Sequence, residues 1–245
     1  MPGLGALGVT FGYAIAMDSP SGRKPGSFHW ASTLWHEMSH VFTLTMTNHR
    51  VPRWFTEGIA VHEETAISPE WGDRLGPDEI GAIKDKQLLP IGELDRGFIH
   101  PVRPQQVVIS YFQGGKIVDY ITEKYGWDTI LAMLKDFGNS ESTPAVIRKE
   151  LKIEPDEFDH QFLAHLEAET KNVVARFDDW KKQVKGDRSS AYMTLQEGYP
   201  LQTDITSTRE IDAGLRRQVA TVGVPPIHAS SRRQSAASRW KGTGK

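Results

Sequence analysis

Hydrophobic positions along this chain follow two different periods. Between residues 3 and 18, where Gly is frequent, Val9, Phe11, Tyr13 and Ile15 occupy alternate positions. A period of two predicts a half-buried strand or hairpin. Asp18-Ser19-Pro20-Ser21-Gly22 follows as a turn, extended by Lys24-Pro25-Gly26. From about Phe28 to Thr47 the spacing changes to three and four. Trp35, Met38, Val41, Phe42 and Met46 form the apolar stripe of an amphipathic helix, which Asn48 terminates.

A short loop containing Pro52 leads to a second helix over Trp54–Thr65. Residues 66–106, interrupted by Gly and Pro, read as loop with short helices. Helical spacing returns over Tyr111–Tyr125 and Trp127–Phe137, with Gly126 between them, and again over Thr143–Leu151. Glu154-Pro155-Asp156-Glu157 has the acidic first turn of a helix start. Phe158, Phe162, Leu166, Val173, Phe177 and Trp180 then carry one stripe to about Val184, as one long helix or two. The predicted fold class is α+β, mainly α-helical, with a small N-terminal β-sheet.

With 245 residues, 38% hydrophobic and 24% charged, the chain can bury one sizeable core or two small ones. A formal net charge of −2 provides no overall attraction to nucleic acid or an anionic membrane, and neither is expected as a partner. No apolar run is long enough to span a bilayer. The N-terminus lacks the basic n-region of a signal peptide, so the compartment stays open: cytoplasmic as the chain stands, periplasmic or secreted if it is shortened at that end. From Ala213 onward there are seven Arg and Lys and no acid, a composition that predicts a disordered basic tail. Cysteine is absent, which excludes disulfides, zinc–thiolate sites and cysteine nucleophiles. Any metal must therefore be held by His, Asp or Glu.

Against that background His36-Glu37-Met38-Ser39-His40 stands out, in the middle of the first predicted helix. Histidines at i and i+4 share a helix face, about 6 Å apart along the axis, and can meet on one cation. Glu37, the next residue after His36, projects in a neighbouring direction, toward a water on such a metal. A catalytic zinc needs a third protein ligand and an open fourth position. Trp54-Phe55-Thr56-Glu57-Gly58-Ile59-Ala60 offers Glu57 in an otherwise apolar segment, as a paired acid, a half-exposed one or that ligand. Two His and one carboxylate also suit non-haem iron, but that set is usually built on barrel strands, which favours zinc.

HEMSH followed by PRWFTEGIA resembles the gluzincin metallopeptidases, and most closely the peptidase-MA-like domains found beside tetratricopeptide repeats in large bacterial proteins. The resemblance also takes in GALG…AMDSP and the Tyr111, Tyr120, Tyr125-Gly126 pattern, and spans roughly residues 3 to 168. It implies that His36, His40 and Glu57 bind one Zn2+ and that Glu37 is the general base. It also implies a Tyr or His donor to the oxyanion, for which Tyr111 is the choice and His100 the alternative. A strand before the HExxH helix, here Val9–Met17, would pair with extended substrate. Aminopeptidases of this clan carry Gly-x-Met-Glu-Asn, whose Glu holds the substrate amine. Gly5-Ala6-Leu7-Gly8 has no acid there, which implies cleavage within chains.

The expected organisation is a metallopeptidase domain over 1–170, a helical extension over 171–212 and the tail over 213–245. The expected function is a zinc endopeptidase acting on peptides or proteins. The alternatives are a catalytically inactive zinc-binding module and a repeat-associated interaction module. His62, Glu63 and Glu64, after Glu57, read as a solvated helix face, with a ligand-orienting role as the alternative. His29, Asp18, His160 and His165 are set aside, the first two as near the motif in sequence only.

Overall fold

A computed structural model describes residues 7–22, 29–69, 71 and 75–184, with 178–184 described by backbone alone. Two short strands, β1 (Gly8–Phe11) and β2 (Ala14–Met17), precede α1 (Trp30–Met46), α2 (Arg53–Ile67), α3 (Pro77–Lys84) and α4 (Leu94–Ile99). Then come α5 (Gln106–Tyr125), α6 (Trp127–Gly138), α7 (Thr143–Val146), which continues into a wide turn over Ile147–Leu151, and α8 (Pro155–Val184). The expected mainly helical α+β class with a small N-terminal sheet is what the chain adopts. No helix among the described residues is long and apolar enough to cross a membrane. The turn at Lys24-Pro25-Gly26, the helix start at Phe28 and the basic tail lie outside the described residues. Helix α8 runs through position 170 without a break.

Strands β1 and β2 pair antiparallel, from Gly8 opposite Met17 to Phe11 opposite Ala14. Gly12, at φ 60, makes the tight turn between them, a left-handed conformation that glycine adopts without strain. In β1 the face turned inward is not the one the alternation predicts, whereas Ile15 of β2 is on the inward side. Val9, Phe11 and Tyr13 are exposed, while Gly8, Thr10 and Ile15 are half-buried.

The same inversion occurs in α1. Its apolar stripe was expected to face the core, yet its buried residues are Ser32, Glu37, Ser39, His40 and Thr43. Phe42 is 61% and Met46 55% exposed. Polar groups are buried only when hydrogen-bonded or paired. The inward face of α1 meets that condition through α2, as set out below. Ser32 bonds Glu64, His40 bonds Thr56, and Thr43 bonds Thr56 as well.

The main core lies on the far side of α2, where Trp54, Phe55, Phe112, Ile121, Phe137 and Phe158 are all at most 2% exposed. Helices α2 and α5 cross with almost no side chain between them. A Cβ at Gly58 would lie 2.5 Å from the Gly114 carbonyl oxygen, and one at Gly114 would lie 3.0 Å from that of Trp54. This close crossing rigidly fixes the helix that carries Glu57. Pro52, the N-cap of α2, provides no side-chain cap. Asp95 of α4 takes over, accepting a hydrogen bond from Trp54 N at 2.8 Å. Helix α5 begins at Gln106, earlier than expected, so Tyr111 stands inside it rather than at its start.

Candidate metal centre

Four side chains of the site come from two helices joined by a short turn. Helix α1 ends at its C-cap Thr47, and Asn48 (φ 50) and His49 (φ 60) reverse the chain in the left-handed region before Pro52 starts α2. Glu57 then stands one turn into α2, opposite His36 and His40. Its Oε2 is 3.2 Å from His36 Nε2 and 3.1 Å from His40 Nε2. The two imidazoles meet edge to face, with centroids 4.8 Å apart.

This geometry fits a tetrahedral cation. Ligands at about 2.0–2.2 Å in a tetrahedron stand roughly 3.3–3.5 Å from one another, close to the spacing of Glu57 Oε2 from each nitrogen. His36, His40 and Glu57 form a group of ligand atoms within 4.8 Å of one another that can hold a metal ion. Two neutral imidazoles and one carboxylate are a zinc-type donor set.

Each of these three candidate ligands is also held from behind. His36 Nδ1 is 3.2 Å from Glu64 Oε2, and Glu64 Oε1 in turn accepts from Ser32 Oγ. His40 Nδ1 is 2.8 Å from Thr56 Oγ1, itself 2.6 Å from Thr43 Oγ1. With the outer nitrogens as donors to these partners, each Nε2 would be free to offer its lone pair to a cation on the inward side. Arg53, one turn before Glu57, places Nε 3.3 Å from Glu57 Oε1, so the two oxygens of that carboxylate serve different partners.

Glu64 is the residue whose importance the sequence reading underrated. It is 8% exposed and turned into the cluster, not part of a solvated face. Its spacing from Glu57, two helical turns along one face, is the signal that marks it. His62, by contrast, points elsewhere: it stacks on Trp127 and its Nδ1 lies 2.6 Å from Asp119. His29 caps α1, accepting a hydrogen bond from Ser32 N at 3.1 Å.

Electrostatics follow from burying two histidines with two acids. Burial opposes the charged form of His36, but hydrogen bonds and charge from Glu57 and Glu64 outweigh it and push its pKa up to about 10. Burial likewise opposes ionised Glu57, yet hydrogen bonds to His36 and His40, and their charge, hold it well below the usual carboxylate range. A cation would replace those protons as the positive charge of the cluster.

Tyr111 reaches the site from α5. Its ring centroid is 6.2 Å from that of His36, it packs edge-on against Phe98, and the charges of Glu57 and Arg53 act on its hydroxyl. Burial, then the charge of Glu57, push its pKa up to about 12. His100 is exposed at the C-cap of α4, and no contact among the described residues joins it to the cluster. Glu37, 7% exposed, turns toward β1, where Thr10 Oγ1 donates to its Oε2 at 2.6 Å.

No curated protein and no solved structure gives a significant match to the chain. The family model of the peptidase MA superfamily matches residues 10–155, which include the end of β1, all of β2, the helices that carry His36, His40 and Glu57, and α5. That match covers more than half of the chain, and the chain belongs to the peptidase MA superfamily.

Proposed function

We propose that this chain is a zinc-dependent peptidase that cleaves within peptide or protein chains. The observation that carries the reading is the single carboxylate oxygen of Glu57, poised between two imidazole nitrogens whose far sides are already hydrogen-bonded. His36, His40 and Glu57 would hold the ion and leave its fourth position open. When bound, zinc acts as a Lewis acid, polarising the scissile carbonyl and bringing the pKa of water toward neutrality.

The remaining work falls to the chain's own residues. Glu37 takes the proton of the attacking water and delivers it to the departing amine. Tyr111, protonated throughout the neutral range, donates a hydrogen bond to the oxyanion of the tetrahedral intermediate. The β1–β2 hairpin has no further strand among the described residues, so extended substrate can add to its edge. Cleavage within chains follows from the lack of an acid at Leu7 and Gly8 to bind a free amine.

Zinc analysis together with digestion of a mixed peptide library tests this reading. One zinc per chain, lost in His36→Ala, is expected, with internal cleavage abolished in Glu37→Gln while its zinc remains. Purified protein that takes up no zinc defeats the reading. Zinc without any cleavage identifies a binding module instead.

A further inference from the structure

The polar residues on the inner face of β1 have a use that the metal site does not account for. Gly8 and Thr10 face α1, one pleat apart, while Val9 and Phe11 face away. Thr10 Oγ1 lies 2.6 Å from Glu37 Oε2 and 2.9 Å from the Glu37 carbonyl oxygen. A hydroxyl has one proton to donate, and the short contact to the carboxylate is the stronger, charge-assisted one. Gly8 covers the other side of the same side chain. A Cβ at position 8 would lie 2.7 Å from Glu37 Cγ and 2.9 Å from Glu37 Oε1. Real Cβ atoms do not approach so closely, so the carboxylate occupies space that only glycine leaves free.

Nothing on α1 itself fixes this carboxylate. Among the described residues, Thr10 is the partner that hydrogen-bonds the Glu37 side chain. A glutamate has three rotatable side-chain bonds and loses much rotamer freedom when held in one place. A base that must find its rotamer in each turnover is slower than one already aligned.

We propose that β1 is the positioning element for the general base: the Thr10 hydroxyl holds the Glu37 carboxylate, and Gly8 provides the slot in which it sits. The proposal rests on the reading of Glu37 as that base. Thr10 is then a positioning residue, acting on substrate only through Glu37. It also explains why β1 turns Gly8 and Thr10 inward and leaves Val9 and Phe11 in solvent.

Thr10→Val and Thr10→Ser in the full zinc-loaded chain separate this role from a structural one. Valine has the shape of threonine and at least its strand preference, so a purely structural residue would tolerate it. The expected result for Thr10→Val is a kcat roughly 10- to 100-fold lower. KM stays within about threefold, and Thr10→Ser stays within about threefold of the wild type in both constants. Zinc affinity, from competition with a chelator, is the same in all three proteins. A second readout needs no turnover: a dipeptide hydroxamate, whose hydroxyl bonds the base, binds the zinc-loaded Thr10→Val protein roughly tenfold more weakly by calorimetry and Thr10→Ser normally. Wild-type kcat and hydroxamate affinity in Thr10→Val overturn the proposal. If instead Glu37→Gln leaves both cleavage and hydroxamate affinity unchanged, the reading of Glu37 as base fails first, and the role of Thr10 with it.

Discussion

Glu64 Oε2 lies 3.2 Å from Nδ1 of His36, two turns beyond Glu57 on the same helix. Helix α2 thus meets His36 from both sides, since Glu57 faces Nε2 of the same ring. Partners of this kind fix the tautomer and orientation of a ligating imidazole, and their loss typically costs 10- to 100-fold in metal affinity. Glu64→Ala is expected to weaken zinc binding by about that factor, read by competition with a chromophoric chelator. Glu64→Gln, which keeps an acceptor for His36, loses less. Equal affinities in wild type and Glu64→Ala would show that His36 needs no support.

Tyr111→Phe removes one hydroxyl and leaves the ring packed on Phe98. Deleting a single oxyanion donor lowers kcat by roughly 100- to 1,000-fold. Zinc content and the thermal midpoint are expected to hold. A kcat close to wild type would exclude Tyr111 as the donor.

Two glycine substitutions are expected to act with opposite sign. Gly58→Ala puts a methyl 2.5 Å from the Gly114 carbonyl oxygen, where only backbone can yield, and should destabilise by roughly 1–3 kcal/mol. Gly81→Ala, inside α3 with nothing within 4 Å, should stabilise by roughly 0.5–1 kcal/mol. Urea midpoints with slopes give both numbers. Because α2 also carries Glu57, Gly58→Ala should weaken zinc binding too, which Gly81→Ala should not.

Asp159 gives a pH test away from the metal site. Its carboxylate accepts from Ile91 N at 3.0 Å, but burial, with the nearby charge of Asp156, raises its pKa from 3.8 to about 6. A folded pKa above the unfolded one means the native chain binds the proton more tightly. This residue therefore costs stability above pH 6, and the cost fades as pH falls from about 6 toward 3.8. Asp159→Asn keeps an acceptor for Ile91 and carries no charge. It should be more stable than wild type at pH 7.5, with the gap narrowing toward pH 4.5, in paired denaturation curves. A gap that does not change with pH would refute the assignment.

The helices and the His36, His40 and Glu57 cluster were largely legible in the amino-acid order, because both depend on local spacing. Trp127–Gly138 and Pro155–Val184 follow apolar periods that helix geometry alone imposes. His36 and His40 share a face on any helix, and Glu57 stands apart as an acid between apolar neighbours. Which faces are buried was not legible. Apolar periodicity placed Phe42 and Met46 of α1, and Val9 and Phe11 of β1, inside. In the folded chain they are exposed, and Ser32, His40, Thr43 and Thr10 are turned inward. The reason is that a buried polar group becomes affordable only through a partner distant in sequence, and those partners exist only once the chain has folded. Glu64 meets His36 across 28 residues, and Thr10 meets Glu37 across 27. The local order therefore determined the helices and singled out His36, His40 and Glu57, while tertiary packing decided which residues hold those side chains and Glu37 in place.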